Sequence, residues 1–459
     1  MKTILAFDDF VLNRSEGTKR KFKQPEWHEE LAFFDPAVPR NIWPQSVVPA
    51  PQGGYYLVYS GFPDPDEPAG EANMSVFLAW SPDGMRFEPY RQVDPKARYP
   101  HMIGRMRDGV GTYAIIDREE QDPEFRYKSP QASYDTCGDS VTEGPAYLLG
   151  SPDMIHWKRV NGAPVTPSYI DCFPGLLRNP RTGRLQATTR RRWGERRICL
   201  VESSDTESWT FPRAVVHPGP YDEPVTHLYS MPEFYYEPGE IFIGLLWKHV
   251  MPFDRVMDGV VTTEYAYSYD GLMWNRTNAP LYPEKERGEY GSGSSACFSM
   301  ADRGDDVVFY MCAQLYEHSG APGSVRDSRC GDTVIPGTLK RNRFVSIDSG
   351  KGRGELVTQW LRLKKPELNL NAVIPYGSLR AELRAGGSAV EGYALDDFMP
   401  VYGDVTDAPM HWKGGGLERF VEEGEWLQLH IVFEQSEVFA VTGDLDFNIN
   451  TLAPAYEHL

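Results

Sequence analysis

Ser268-Tyr269-Asp270-Gly271-Leu272-Met273-Trp274 is a short phrase that the chain writes three more times. Ser81-Pro82-Asp83-Gly84-Met85-Arg86-Phe87, Ser151-Pro152-Asp153-Met154-Ile155-His156-Trp157 and Ser203-Ser204-Asp205-Thr206-Glu207-Ser208-Trp209 all place Ser first, Asp two residues later and a large aromatic four after that. A short Ser or Asp side chain accepts hydrogen bonds from backbone N–H groups two or three residues on, so the phrase predicts a tight turn from which the aromatic leaves toward a core. The alternative is four unrelated turns built from common turn residues, and the constant aromatic offset argues against it.

Each copy closes a strand-like run: Val76-Phe77-Leu78-Ala79-Trp80, Ala146-Tyr147-Leu148-Leu149, Ile198-Cys199-Leu200-Val201 and Tyr265-Ala266-Tyr267. A strand–turn–strand unit returning at roughly fifty to seventy residues points to a propeller. Five openings are expected: Trp43–Val48, Tyr99–Ile103, Asp171–Leu176, Tyr229–Phe234 and Ser295–Ser299, the last blade ending near Arg343–Ile347. After Gly354 the texture changes to alternating strands without the turn, at Val357–Leu363, Leu379–Leu383, Trp426–Phe433 and Val438–Thr442, which suits an antiparallel sandwich. The expected fold is therefore all-β, a five-bladed β-propeller followed by a C-terminal antiparallel β-sandwich. Its expected divisions are a wrapping segment over 1–41, a propeller over 42–350, a linker in Ser349-Gly350-Lys351-Gly352-Arg353-Gly354 and a sandwich over 355–459.

Composition agrees with short strands and many turns: 13% aromatic residues, 42 Gly and 37 Pro in 459 residues. A formal charge of −18 repels phosphate backbones and anionic lipid, so nucleic acid and membrane surfaces are poor partners, whereas a neutral carbohydrate is not repelled. The six cysteines contain no CxxC pair and read as reduced thiols. The apolar run after Met1 is too short for a signal-peptide core and no run approaches a membrane span, which predicts a cytoplasmic chain. Phosphate-loop, dinucleotide and Gly-x-Ser-x-Gly fingerprints are missing.

With its Ser-x-Asp-x-x-x-Trp hairpins, its five blade openings and the run Gly377–Leu383 with Gly392–Asp397 and Gly403-Asp404, nearly the whole chain resembles the five-bladed propeller glycoside hydrolase superfamily of invertases, levansucrases and arabinanases. It looks most like the family 32-like bacterial proteins within it. The resemblance implies acids on the inner strands and a glycosidase. The invertase signature Trp-x-Asn-Asp-Pro-Asn and its Glu-Cys partner are absent, so fructosidase activity is not carried over.

Glycoside hydrolysis needs two carboxyl groups flanking the anomeric carbon. Asp171, beside Cys172 and Phe173, is the candidate base or nucleophile, with a strand-edge turn residue as the alternative. Glu233 lies among Met231, Pro232 and Phe234, where burial would raise its pKa toward that of a general acid; Glu237 is the fallback. Asp35 matches the early aspartate of related enzymes in position, or is a loop Asp before Pro. Asp135, Asp139 and Glu143 read as a solvated acidic loop. Candidate sugar contacts are Trp43 and Trp247, which otherwise pack between blades, Arg191 and Arg192 of the run Arg190–Trp193, and His101 and His318. No metal-ligand spacing joins the histidines, and neither a metal nor a cofactor is expected. A phosphorylase that uses the arginines as a phosphate cradle, or a propeller that binds carbohydrate without cleaving it, are the competing expectations.

Overall fold

All four Ser-x-Asp turns form, and each joins the third strand of a four-stranded antiparallel sheet to its fourth. In the copy at Ser268 the hydroxyl oxygen accepts from the Gly271 N–H at 2.9 Å, and the Asp270 carboxylate accepts from Leu272 and Met273 at 2.7 and 2.8 Å. The fourth residue of every copy is left-handed: Gly84, Met154, Thr206 and Gly271 have φ of 76°, 70°, 65° and 79°. Three of the aromatics fold back onto that residue, the indole N–H groups of Trp157, Trp209 and Trp274 donating to the carbonyls of Met154, Thr206 and Gly271.

The computed structural model describes residues 2–38, 40–64, 73–132, 145–166, 175–193, 195–251, 259–286, 288–315, 317 and 333–448. It divides into two compact units, one comprising 25–235 and 242–339, the other 1–24, 236–241 and 340–459.

In the first unit, five blades built on four-stranded antiparallel cores follow one another, with extra short strands added in blades 1 and 4. Blade 1 is Arg40–Pro49, Tyr55–Phe62, Ser75–Ser81 and Glu88–Pro89; blade 2 is Ile115–Ile116, Tyr127–Ala132, Ala146–Ser151 and Lys158–Thr166. Blade 3 runs Gly175–Arg178, Leu185–Trp193, Glu195–Ser203 and Arg213–Val216. Blade 4 opens with Thr226–Ser230 and Glu233–Tyr236 and continues through Ile241–Val250, Val260–Ser268 and Asn275–Pro280. Blade 5 takes three strands in sequence, Ser294–Asp302, Asp306–Gln314 and Thr333–Lys340, but its fourth is Glu26–Trp27 from the chain start. That is why five blades carry four turns: the outermost strand of blade 5 arrives from elsewhere and has no hairpin to make.

Apolar clusters seal each blade to the one before it, and the repeated aromatic sits in the seal. Trp157 of blade 2 packs with Val58, Leu78 and Ala114, Trp209 of blade 3 with Leu148 and Val201, and Trp274 of blade 4 with Ile198 and Leu246. Phe87 of blade 1 joins Val308, Tyr310 and Val334 of blade 5, which closes the ring as a five-bladed propeller. In blade 5 the Trp27 ring occupies the equivalent edge, edge-on to Tyr282 at 5.4 Å and with its indole N–H donating to Leu281.

The second unit is a sandwich of two antiparallel sheets around Leu356, Leu370, Ala381, Leu429, Ile431, Phe433 and Val441. Its boundaries differ from those expected. Strands Lys2–Leu5 and Lys19–Phe22 belong to one sheet and Leu12–Glu16 to the other, so the first 24 residues are structural strands of the sandwich and not a wrapping segment. Val345–Asp348, expected in the last blade, pairs with Lys19–Phe22 and Glu437–Gly443. The second blade opening also moves: the strand Met102–Arg105 adds to blade 1 against Ser75–Ser81, and Ile115–Ile116 opens blade 2. Of the cysteines, Cys199, Cys297 and Cys312 are buried in the propeller unit.

Candidate functional site

Two of the first strands of the blades carry β-bulges. The first strand of blade 1 shifts register between Arg40 and Trp43 and again between Pro44 and Ser46; in blade 4 the shift falls between Leu228 and Ser230, leaving Tyr229 as the extra residue. A bulge breaks the strict alternation of a strand and re-aims the side chains beside it. The result is a cluster of rings shared by blades 1 and 4. Tyr229 stacks on Trp247 with centroids 6.2 Å apart and planes 14° from parallel, and Trp43 meets Trp247 edge-on at 6.3 Å. Trp247 is anchored by its indole N–H, which donates to the Cys297 carbonyl at 2.6 Å. The Trp43 N–H reaches the Tyr113 hydroxyl at 3.4 Å. Between Trp43, Tyr229, Trp247, Ser294 and Gln314 the remaining cavity is about 10 Å³, the size of a single water, so the rings of blades 1 and 4 fill the space beside blade 5.

Positive charge gathers on this cluster. The Arg190 guanidinium lies 4.1 Å from the Tyr229 ring centroid and donates to the Tyr229 carbonyl at 3.0 Å; Arg196 lies 5.4 Å from the same ring. His227 accepts the Arg196 backbone N–H at Nδ1, at 3.1 Å, which places the proton of the neutral ring on Nε2. Its pKa is lowered by burial and then by the charges of Arg196 and Arg190, so it is neutral at pH 7. Glu317 accepts the Gly259 N–H at 3.0 Å, and Gly259 stands two residues before Val261, one of the residues lining the cavity. Trp247 is buried at 2% exposure and packs between blades, while the half-buried rings of Trp43 and Tyr229, fixed donors and a neutral imidazole together suit a polyhydroxylated ligand with apolar C–H faces.

Of the expected carboxyl groups, Asp35 and Glu233 are among the described residues. Asp171 lies outside the described residues, as do His318, Asp135, Asp139 and Glu143, and the side chains of Arg191 and Arg192. Asp35 is 1% exposed, closed in by the Tyr59 hydroxyl at 2.6 Å, His101 Nε2 at 2.8 Å and the Ala37 N–H at 3.0 Å. Burial pushes its pKa up, but those hydrogen bonds outweigh burial and hold it below the usual value. His101 is 2% exposed and serves as the partner of Asp35 inside blade 1. Glu233 is 2% exposed and begins the strand that follows the one carrying Tyr229. Its carboxyl points between blades 3 and 4, where Gln186 donates to it at 2.8 Å; Gln186 in turn accepts from Asn179, which donates to the Asp270 carbonyl of the repeated turn. Burial pushes the Glu233 pKa up to about 8, in the expected direction. Trp43 and Trp247 are brought together edge to face. Sequence reasoning did not single out Tyr113, Tyr229 and Glu317, and it named Arg190 and Arg196 only as members of the arginine cluster; the bulges beside Trp43 and Tyr229 leave no mark in hydrophobic periodicity.

No protein-family model and no curated protein matches the chain. Among solved structures it is similar to an N-acetylgalactosamine deacetylase from F. plautii in complex with blood group B trisaccharide, at 14% identity over 70% of this chain and 95% of that one, TM-score 0.43. It is also similar to a member of the GH130 family of mannoside phosphorylases, which contains glycoside hydrolases that target β-1,2 mannosidic linkages in Candida mannan (13% identity, 75% and 98% coverage, TM-score 0.43). A third is a thermostable family-43 glycoside hydrolase (13%, 65% and 89%, TM-score 0.41).

Proposed function

We propose that the protein is a glycoside hydrolase acting on a neutral oligo- or polysaccharide, which it binds at the rings shared by blades 1 and 4. The observation that carries this reading is the cluster of Trp43, Tyr229 and Trp247 with Arg190, Arg196 and His227 set around it. In the proposed reaction an acid protonates the glycosidic oxygen, the bond from that oxygen to the anomeric carbon breaks, and water adds to the anomeric carbon while its proton passes to a carboxylate base. Asp171 is the proposed base, and Glu317, tied to Gly259, is the proposed acid in place of the enclosed Glu233. Phosphate in place of water would make the same site a phosphorylase, and the Arg190–Arg196 pair is the observation in favour of that second reading.

The test is a screen of aryl glycosides and neutral oligosaccharides with and without phosphate, on the wild type and on Asp171→Asn, Glu317→Gln and Glu233→Gln. Loss of one acid–base group is expected to slow turnover by about 100- to 10,000-fold in the first two variants. Undiminished hydrolysis in both removes the proposed pair. A comparable loss in Glu233→Gln with normal folding would restore Glu233 as the acid, and sugar release that depends on phosphate would decide for the phosphorylase.

A further inference from the structure

Away from that ring cluster, the outer edge of blade 1 holds an open groove of about 630 Å³, within the range of about 300–1,000 Å³ typical of ligand sites. Its walls are the half-buried rings of Trp80 and Tyr90, and its rim is Gln52, Glu88, Arg91 and Gln92, all exposed. The rings are held before any ligand arrives. The Trp80 indole N–H donates to the Gly53 carbonyl at 3.0 Å, and Tyr90 stands edge-on to Tyr56 at 5.0 Å. Gln52 is fixed as well, its amide donating to the Tyr56 hydroxyl at 2.9 Å. Register places Trp80 opposite both Tyr56 and Glu88, so ring and carboxylate stand side by side on neighbouring strands.

We infer that this groove is a second carbohydrate site, one that holds a neutral polysaccharide chain by stacking it on Trp80 and Tyr90. The indole nitrogen of Trp80 is already spent on Gly53, so that ring offers an apolar face, which suits sugar C–H groups. Two amides, one carboxylate and one guanidinium supply paired donors and acceptors for vicinal hydroxyls, and the opposite charges of Glu88 and Arg91 leave the rim neutral. Pre-positioned rings lose little side-chain freedom on binding. A polyanion is disfavoured by the overall charge of −18. The groove shares the ligand class of the proposed function and none of the residues of that site, and its test reads binding alone, so a protein that hydrolyses nothing would still reveal it.

The probes are soluble arabinan, galactan, mannan, xylan and levan cast into native gels. At least one polymer is expected to retard the wild-type protein, and Trp80→Ala to weaken that retardation by roughly tenfold, the size of one lost aromatic contact. Gln52→Ala with Gln92→Ala, two exposed rim positions, is expected to weaken it as well, and thermal melts of both groove variants separate lost binding from misfolding. Tyr221→Ala, an exposed ring outside the groove, is expected to leave it in place. Wild-type protein that none of the five polymers retards overturns the inference. So does retardation that survives both groove variants or that disappears in Tyr221→Ala.

Discussion

Glu233 has a carboxyl that is best kept protonated. With a folded-state pKa of about 8 against an ordinary 4.5, the native protein holds a proton that the unfolded chain has already released across that interval. Stability therefore falls as pH rises from 4.5 to about 8 and levels off above it. Glu233→Gln keeps the oxygen that accepts from Gln186 and removes the titration, so thermal melts across that interval are expected to show the decline in the wild type and a flatter profile in the variant. Asp117 is the opposite case. Burial raises its pKa, but hydrogen bonds from Arg178 and Lys128 outweigh burial and hold it at about 2, so its contribution is present above pH 3.8 and is lost as pH falls toward 2. Lys128 is itself fully buried and bridges Asp117 and Glu120 at 2.8 and 2.6 Å. Lys128→Met is expected to cost about 3–5 kcal/mol in urea unfolding, since it strands a buried carboxylate with one partner fewer. The direction of the Glu233 shift was legible from its apolar neighbours. Where the side chain points was not, because a bulge precedes it and breaks the count of in and out.

The repeated turn is the element whose form the residues state most directly, because every hydrogen bond that shapes it closes within seven positions. Ser268→Ala removes the acceptor for the buried Gly271 N–H, and equilibrium unfolding is expected to show a loss of about 1–3 kcal/mol. Gly271→Ala is expected to be at least as costly. Its φ of 79° costs an L-residue about 1–2 kcal/mol, and the added methyl would lie 3.0 Å from the Asn179 amide. That amide belongs to the chain leading to Glu233, so the pH profile of Gly271→Ala should shift as well, whereas that of Ser268→Ala should keep its shape. Strand edges were less legible than turns. Met102–Arg105 is a short run that either neighbouring blade could take, and pairing with Ser75–Ser81 decided it.

At the scale of the whole propeller, closure depends on two residues of strand, Glu26 and Trp27, paired with Thr338 and Gly337 across more than three hundred positions of chain. Gly337 leaves the space: a methyl there would come within 2.5 Å of the Trp27 ring. Trp27→Ala is expected to lower stability by about 3 kcal/mol and to lower the melting temperature, with blade 5 opening first in hydrogen exchange. The amino-acid sequence by itself determined the all-β class, the propeller repeat, the turns and the change of texture toward a sandwich, because each of these rests on side chains answering backbone groups or neighbours close by in the chain. Only the tertiary structure decided which strand completes blade 5, that the first 24 residues are sandwich strands, and which side chains meet around Trp247. Those outcomes depend on pairings between distant segments and on bulges that reverse a side chain's face, and the energy of such pairings is realised only when both partners are in place.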